Sequence, residues 1–253
     1  MLYLIGLGVG ERDITETGIN AIKASELVFL DSYTAYVDET KLEMVKKLSR
    51  NDIKIADRHM LEEGIDSILL MAENKAVSII TNGDPLIATT HKIILIEARK
   101  RKIPVKVIHS TSIFSVAIAD SGLDFYRFGP VCTIPRWSEH YKPVSFYETI
   151  LLNYSNGLHS LVLLDYDSEK GNSIRVEEAI SIMEKAEAQY KKGIISSDRK
   201  IVLLYDSGTE NPHVTFSMIR DIKAVWNYKM AAIIIPGRLS DIESEFLEQI
   251  EKV

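Results

Sequence analysis

Residues 81–91, Thr-Asn-Gly-Asp-Pro-Leu-Ile-Ala-Thr-Thr-His, have the residue types of a ligand-binding turn. They follow a β-branched apolar run at 77–80 and precede a helical pattern, so they are predicted to connect a strand to a helix. Open α/β sheets place their ligands at such connections. Asn82 and Gly83 permit a sharp turn, and Asp84 would hold a carboxylate just outside the end of the strand. The alternative is that Asp84 only caps the following helix.

A second candidate site is the glycine cluster at 6–10, Gly-Leu-Gly-Val-Gly, which follows a short apolar strand. With Asp31 at the end of the second predicted strand, the cluster partly matches a dinucleotide-binding fingerprint. Glu11 stands where the third glycine should be, and a carboxylate there would oppose a pyrophosphate. The spacing therefore argues against a nicotinamide nucleotide.

Other common catalytic patterns are missing from the sequence. It contains no G-x-x-x-x-G-K-[ST] loop, which disfavours nucleotide hydrolysis. The six histidines show no metal-ligand spacing, and the single cysteine, Cys132, excludes an internal disulfide and any multi-cysteine metal site. Ser112 and Ser207 follow predicted strands, but neither lies in a G-x-S-x-G elbow. We therefore expect neither a metal nor a hydrolase triad.

The composition is that of a soluble globular protein with a real core. The chain has 253 residues, of which 46% are hydrophobic and 26% charged. Its formal net charge of −6 argues against broad, sequence-independent nucleic-acid binding, which needs a basic face. No apolar run reaches the roughly 18 residues that span a bilayer. The N-terminus is interpreted as a strand and not as a signal peptide, and a cytoplasmic location is expected.

The order of the predicted elements indicates two α/β domains. The predicted strands are 2–7, 27–30, 53–56, 77–81, 105–108, 131–134, 160–164, 200–205 and 231–235, and the predicted helices are 17–25, 40–48, 65–74, 91–102, 113–119, 146–156, 174–192, 214–226 and 241–252. Regular alternation over the first 120 residues favours a mainly parallel N-terminal sheet covered on both faces. Longer helices and possible hairpins favour a mixed C-terminal sheet. A turn rich in aromatic residues at 122–130 places the boundary between domains 1–121 and 122–253.

Small or acidic residues follow several predicted strands, at 9–10, 83–84, 110–112, 165 and 207–208. The carboxyl ends of parallel strands meet at one edge of a sheet. Two such edges facing each other would form a cleft with few fixed charges, which suits a neutral or mildly cationic ligand better than a triphosphate.

Two further features each keep two interpretations. The basic run 99–102 is typical of a solvated helix end, with docking as the alternative. Five aromatic residues either line a pocket or fill a domain interface. These five are Tyr33, Tyr36, Phe125, Tyr126 and Phe128.

Several of these motifs together resemble the diphthine synthases, a family within the wider tetrapyrrole-methylase-like class of methyltransferases. The resemblance is carried by residues 5–8, 11–15, 83–91, 109–113, 157–160 and 236–239, and so covers nearly the whole chain. The string G-D-P-x-x-A-T-T-H is specific to the family, because the wider class shares the glycine-rich first turn and G-D-P but not the A-T-T-H tail.

The resemblance implies a homodimeric, S-adenosylmethionine-dependent methyltransferase of two α/β domains, with the cofactor in the cleft between them and S-adenosylhomocysteine as its product. It implies methylation, with trimethylation expected, of the amino group of 2-(3-amino-3-carboxypropyl)histidine on translation elongation factor 2, a step in diphthamide synthesis. The alternatives are a precorrin-type tetrapyrrole methyltransferase and a non-enzymatic nucleotide-binding or adaptor module. Carried over residue by residue, the family's cofactor contacts fall on Val9, Asp84, Ile87, Ser112, Ile113, Leu164, Ser207 and Ala231.

Methyl transfer from a sulfonium to an amine mostly requires alignment of the two reactants and exclusion of water. The acceptor amine must first lose a proton, because an ammonium has no lone pair. We expect Asp84 to orient the cofactor and not to act as the base. His91, His109, Tyr33 and Asp165 are candidate bases, and the sequence does not choose among them.

Overall fold

The computed structural model describes residues 1–223 and 228–251. The chain divides into two compact units, one of residues 1–113 with 168–171 and one of residues 114–167 with 172–253. The division into domains 1–121 and 122–253, expected from the sequence, stays a prediction.

The first unit is built on a parallel sheet of five strands in the order β3-β2-β4-β1-β5. The parallel N-terminal sheet expected from the alternation is therefore confirmed. Its elements are β1 (Leu2–Gly6), α1 (Glu16–Ala24), β2 (Leu27–Asp31), α2 (Glu39–Leu48), β3 (Ile53–Ala56), α3 (Arg58–Glu62), α4 (Ile65–Asn74), β4 (Val77–Thr81), α5 (Lys92–Lys100) and β5 (Val105–Ile108).

The central strand β4 shows why this sheet forms. Every residue of β4 is buried, as expected for a strand covered by helices on both faces. Successive side chains of a strand point to opposite faces. Accordingly, Ile79 packs in the apolar cluster with Leu2 and Leu4, whereas Ile80 packs in the cluster with Ile5 and Leu7.

The second unit contains a mixed five-stranded sheet in the order β11-β10-β12-β7-β6. Only β6 and β7 pair in parallel, so the mixed C-terminal sheet is also confirmed. The elements are α6 (Ile113–Ser121), β6 (Cys132–Ile134), α7 (Ser145–Ser155), β7 (Ser160–Leu164), β8 (Tyr166–Asp167), β9 (Asn172–Ser173), α8 (Val176–Tyr190), β10 (Lys200–Tyr205), β11 (His213–Met218), β12 (Ala231–Ile235) and α9 (Asp241–Glu251). Strands β8 and β9 form a separate antiparallel pair.

The helix predicted over 214–226 is wrong. Residues 213–218 form the strand β11, which pairs antiparallel with β10 and places Phe216 opposite Val202. A short 3-10 turn follows at Ile219–Asp221, and residues 224–226 of the predicted helix lie outside the described residues. Apolar residues at 214, 218 and 222 also fit one helical face. The β-branched and aromatic run Val-Thr-Phe and an available sheet edge decide in favour of the strand.

Among the short elements that were not predicted are the five-residue helix α3 and the hairpin of β8 and β9. Both are too short for hydrophobic periodicity to distinguish them from loops. In the part of the chain that the structure describes, no helix has the length and apolar character needed to cross a membrane.

Candidate functional site

Two loops of the first unit are joined backbone to backbone just beyond the ends of β1 and β4. Gly8 and Gly83 exchange both hydrogen bonds, at 3.1 and 3.0 Å between nitrogen and oxygen. Both glycines have positive φ, 75° and 74°. A Cβ at Gly6 would lie 2.5 Å from the carbonyl oxygen of Gly83, and one at Gly8 would lie 2.0 Å from the Asp13 Cβ. The glycines therefore let the two loops meet.

The glycine loop at 6–10 has few backbone N–H groups left to donate to a phosphate. The Val9 N–H donates to Thr111 Oγ1 at 3.1 Å, and the Gly10 N–H donates to Asp13 Oδ2 at 2.8 Å. A pyrophosphate site at a helix N-terminus depends on free N–H groups. The internal bonds and Glu11 together disfavour a nicotinamide nucleotide at this turn.

A buried lysine from α2 fixes the two loops from the other side. The Lys41 side chain is 1% exposed, and its ammonium donates to the carbonyl oxygens of Gly8 and Val9, both at 2.7 Å. It also donates to Asn82 Oδ1 at 2.5 Å. Burial lowers the pKa of Lys41 to about 8, against the opposing effect of nearby carboxylates.

Sequence reasoning missed Lys41, although a signal was available. Lys41 lies four residues before Val45 and seven before Leu48, in the apolar stripe of its own helix. A lysine in such a stripe must either reach solvent or find buried acceptors, because a buried unpaired charge is costly. Here it finds three acceptors, all on the two loops.

Asp84 connects the loop after β4 to the loop after β5. Its carboxylate is buried, and Oδ1 accepts from the Leu86 N–H at 2.9 Å. Oδ2 lies 2.8 Å from His109 Nδ1 and accepts from the Ser110 N–H at 3.2 Å. Helix α5 begins only at Lys92, with no side-chain cap at its N-terminus. The alternative that Asp84 caps that helix is therefore wrong.

The A-T-T-H tail folds back onto the Pro85 carbonyl oxygen. Thr89 Oγ1 donates to this oxygen at 2.7 Å, and His91 Nδ1 lies 3.1 Å from it. The His91 Nε2 lies 3.2 Å from Asp31 Oδ2, in a direction that is poor for a hydrogen bond but close enough for an ion pair. Ala88 adopts a left-handed conformation with φ 56°, which a small residue tolerates better than a bulky one. The tail thus fixes the backbone of the Asp84 turn.

Asp31 is the buried anchor of that arrangement and is not free to hold a ribose. Its Oδ1 accepts from the N–H groups of Tyr33 and Thr34, and its Oδ2 accepts from Thr81 Oγ1 at 2.8 Å. Burial raises the pKa of Asp31, but the neighbouring His91 ring, with Thr34 and Thr81, outweighs burial and leaves the pKa below its ordinary value.

Four of the five predicted cofactor residues of the first unit lie in three hydrogen-bonded loops, and the fifth, Ile113, directly follows one of them. Val9 and Ser112 are buried, Ile87 is exposed, and Ile113 is the first residue of α6. Hydrogen bonds from Val9 to Thr111 and from Ser110 to Asp84 join the loops. The structure therefore brings together the predicted residues Val9, Asp84, Ile87, Ser112 and Ile113.

The three predicted residues of the second unit lie at the same end of three neighbouring strands of its sheet. Leu164 ends β7, Ala231 begins β12, and Ser207 follows β10 by two residues. Because β12 runs antiparallel to both neighbours, Ala231 pairs with Tyr205 and lies beside the Leu164 end of β7. Ser207 is 2% exposed, and its hydroxyl has no hydrogen-bond partner among the described residues. A buried hydroxyl without a partner is costly, so it fits a site that a ligand completes.

The four candidate bases differ sharply in environment. His91 is buried, and the Tyr33 hydroxyl lies 2.5 Å from Thr90 Oγ1. Asp165 accepts from the Arg136 N–H at 3.0 Å. His109 has a side chain that is 67% exposed. Among these candidates, His109 combines an exposed ring with a buried carboxylate partner.

Residues 1–223 match the family of tetrapyrrole (corrin/porphyrin) methylases. The chain therefore belongs to this family of methyltransferases, in keeping with its two α/β sheets and its Gly-Asp-Pro turn.

The curated relatives narrow the assignment. The chain is 34% identical over 250 residues to a diphthine synthase of Methanosphaera stadtmanae, covering 98% of this chain and 94% of that protein. It is 34% identical over 252 residues to a diphthine synthase of Methanothermobacter thermautotrophicus, covering 99% and 95%. The crystal structure of a proposed diphthine synthase from Entamoeba histolytica superimposes with a TM-score of 0.88 at 32% identity, covering 99% and 98% of the two chains. Within the methylase family, this chain belongs with the diphthine synthases.

Proposed function

We propose that this chain uses S-adenosylmethionine to methylate the amino group of 2-(3-amino-3-carboxypropyl)histidine on translation elongation factor 2, the reaction that yields diphthine. The observation that carries the proposal is the similarity to diphthine synthases over nearly the full length of the chain. The A-T-T-H tail, on which the resemblance to that family also rests, holds the Asp84 turn in place through Thr89 and His91.

The precorrin-type alternative finds no support in the charges of the first unit. A polycarboxylate substrate would need a groove with several free arginines. The basic run 99–102 ends α5, where Arg101 pairs with Asp66 and Lys100 pairs with Glu97. This supports the interpretation of the run as a solvated helix end.

We propose that the methyl donor binds at the eight residues expected from the resemblance, five in the first unit and three in the second. When bound, its sulfonium supplies the reactive methyl group. In the first unit, Lys41 and Asp84 hold the loops that carry Val9, Ile87 and Ser112. In the second unit, the unpartnered Ser207 hydroxyl would gain a hydrogen-bond partner. The cleft between the domains, the homodimer and the cytoplasmic location stay predictions.

Calorimetric titration with S-adenosylhomocysteine tests the binding half of the proposal. We expect Ser207→Ala to weaken binding about 5- to 10-fold, which corresponds to the net free energy of one hydrogen bond to a neutral group. Ser155→Ala is the matched control, because Ser155 is exposed on α7 and its hydroxyl bonds within its own helix. Equal affinity of wild type and Ser207→Ala would remove Ser207 from the site.

Transfer of a labelled methyl group tests the substrate half. The wild-type chain is incubated with labelled S-adenosylmethionine and with elongation factor 2 that carries the modified histidine, or with precorrin. We expect label on the elongation factor alone. Label on precorrin alone would overturn the proposed substrate while leaving the methyltransferase class intact.

A further inference from the structure

His109 is an exposed imidazole held by a buried carboxylate. Its side chain is 67% exposed, whereas that of its partner Asp84 is 5% exposed. The residue follows β5 directly and precedes the predicted cofactor residues Ser112 and Ile113. It therefore lies on one of the three loops that the proposed function assigns to the cofactor.

The hydrogen bonds of Asp84 determine which ring nitrogen of His109 carries the proton. The N–H groups of Leu86 and Ser110 each donate to one oxygen of the Asp84 carboxylate, so both oxygens already act as acceptors. An ionised carboxylate can only accept, so His109 Nδ1 must be the donor in their 2.8 Å contact. In the neutral imidazole the lone pair then lies on Nε2.

The other charged groups around the loop leave this assignment unchanged. The Asp13 carboxylate accepts from the Thr111 hydroxyl, and the Asp13 carbonyl oxygen accepts from Ser110 Oγ. Lys41 is directed at the Gly8 and Val9 carbonyl oxygens of the glycine loop. The ion pair described for His109 is the one with Asp84.

We propose that His109 Nε2 takes the proton from the substrate ammonium before methyl transfer, with Asp84 as its positioning residue. This role rests on the proposed function. The N–H bond of the ammonium breaks as the proton bonds to Nε2, and the carboxylate stabilises the imidazolium that forms. The freed amine lone pair then forms the bond to the methyl carbon while the carbon–sulfur electrons return to sulfur. The imidazolium afterwards releases its proton to solvent.

The first test replaces His109 with a side chain that keeps the donor and removes the base. His109→Asn places an amide N–H near the position of Nδ1, so the bond to Asp84 can persist. We expect kcat to fall about 100-fold or more, with the acid limb of the pH profile of kcat/KM lost. Affinity for S-adenosylhomocysteine should stay within about twofold in calorimetry, because the loop is retained.

His59→Asn is the matched control. His59 is also an exposed histidine beside a carboxylate, with Nε2 3.5 Å from Glu63, but both side chains are exposed on α3. It should leave kcat and the pH profile unchanged. A second variant, His109→Ala, should regain activity when imidazole is added, which a purely structural role would not allow.

The ligand-free protein provides an independent readout. Nitrogen-15 NMR of the histidine rings should show neutral His109 with its proton on Nδ1, whereas the proton on Nε2 would overturn the proposal. A His109→Asn enzyme with wild-type kcat and pH profile would overturn this role alone. Failure of the wild-type chain to bind S-adenosylhomocysteine or to transfer a methyl group would overturn the proposed function and this role with it.

Discussion

Each unit of the molecule buries one histidine against a carboxylate, and the two pairs have opposite chemistry. His91 faces Asp31 in the first unit, and His159 faces Glu243 in the second. Both imidazoles are at most 1% exposed, and both carboxylates are nearly as buried. The chemical groups are equivalent, so any difference between the pairs comes from their surroundings.

His159 is held as a neutral imidazole. Its Nδ1 accepts from the Gly237 N–H at 3.0 Å, so this nitrogen has no proton. Its Nε2–H therefore donates to Glu243 Oε1 at 2.9 Å. Burial lowers the pKa of His159, although the hydrogen bond and negative charge of Glu243 act in the opposite direction.

His91 faces an acceptor at both nitrogens. Its Nδ1 lies 3.1 Å from the Pro85 carbonyl oxygen, and its Nε2 lies 3.2 Å from Asp31 Oδ2. A carbonyl oxygen can only accept, so His91 Nδ1 must carry a proton in its contact with Pro85. The comparison teaches that the backbone group at Nδ1, a donor in one unit and an acceptor in the other, determines whether that nitrogen carries a proton.

The largest expected effect is on the second unit. Each oxygen of Glu243 accepts from a backbone N–H, that of Asp124 on Oε1 and that of Ser240 on Oε2. In Glu243→Gln, the new amide must therefore face an N–H that cannot reverse. We expect unfolding free energy to fall by about 3–5 kcal/mol in denaturant titrations. Glu245→Gln, an exposed change on the same helix, should cost little, and a loss below about 1 kcal/mol for Glu243→Gln would contradict the argument.

The same residue should control part of the acid sensitivity of the protein. Burial raises the pKa of Glu243, but hydrogen bonds led by the Ser240 and Asp124 N–H groups outweigh it and lower the pKa from 4.5 to about 2. Below pH 4.5 the unfolded chain binds this proton and the folded chain does not, so stability falls until about pH 2. The stability difference between wild type and Glu243→Gln should shrink over that range. A constant difference across the titration would disprove the linkage.

A smaller effect is expected from the matching change in the first unit. In Asp31→Asn, the retained oxygen still accepts from the Tyr33 and Thr34 N–H groups. The new amide faces the Thr81 hydroxyl and His91, and both of these groups can become acceptors. We expect a loss of about 1 kcal/mol at neutral pH. Asp52→Asn, an exposed change before β3, is the control, and a loss equal to that of Glu243→Gln would remove the contrast between the two pairs.

The most direct test of the contrast changes no residue. In nitrogen-15 spectra, His159 should have its proton on Nε2 and none on Nδ1, whereas His91 should have a proton on Nδ1. A His91 ring with no proton on Nδ1 would show that the Pro85 carbonyl oxygen tolerates a lone pair at close range, and the two pairs would then be alike.

Much of the fold could be predicted from hydrophobic patterns. The strands 53–56, 77–81, 105–108, 160–164, 200–205 and 231–235 match the structure at both ends. Most of them are short apolar runs with clear flanking residues, which local pattern alone identifies. The helix predicted over 214–226 is wrong because the apolar spacing of the segment fits both a helix and a strand, and only the free edge of β10 resolves the choice.

The candidate site was predicted less completely. The motifs located the turn at Asp84 and the serine at 112, since both carry a family pattern. Lys41 was missed because a lysine in a helix pattern looks like a surface residue until its acceptors are known. The role of Asp84 also required the structure, because its partner His109 is 25 residues away in the chain.

The sequence by itself determined the alternation of strands and helices, the Gly-Asp-Pro turn and membership in the methylase family, because these depend on local pattern and on motifs. Only the tertiary structure decided which ring nitrogen of His109 and of His159 carries a proton. It also decided which groups donate hydrogen bonds to the Asp84 carboxylate. The physical reason is distance along the chain. The hydrogen bonds that determine where the ring protons lie join residues far apart in the chain. His109 and Asp84 are 25 positions apart, and His159 and Glu243 are 84 positions apart.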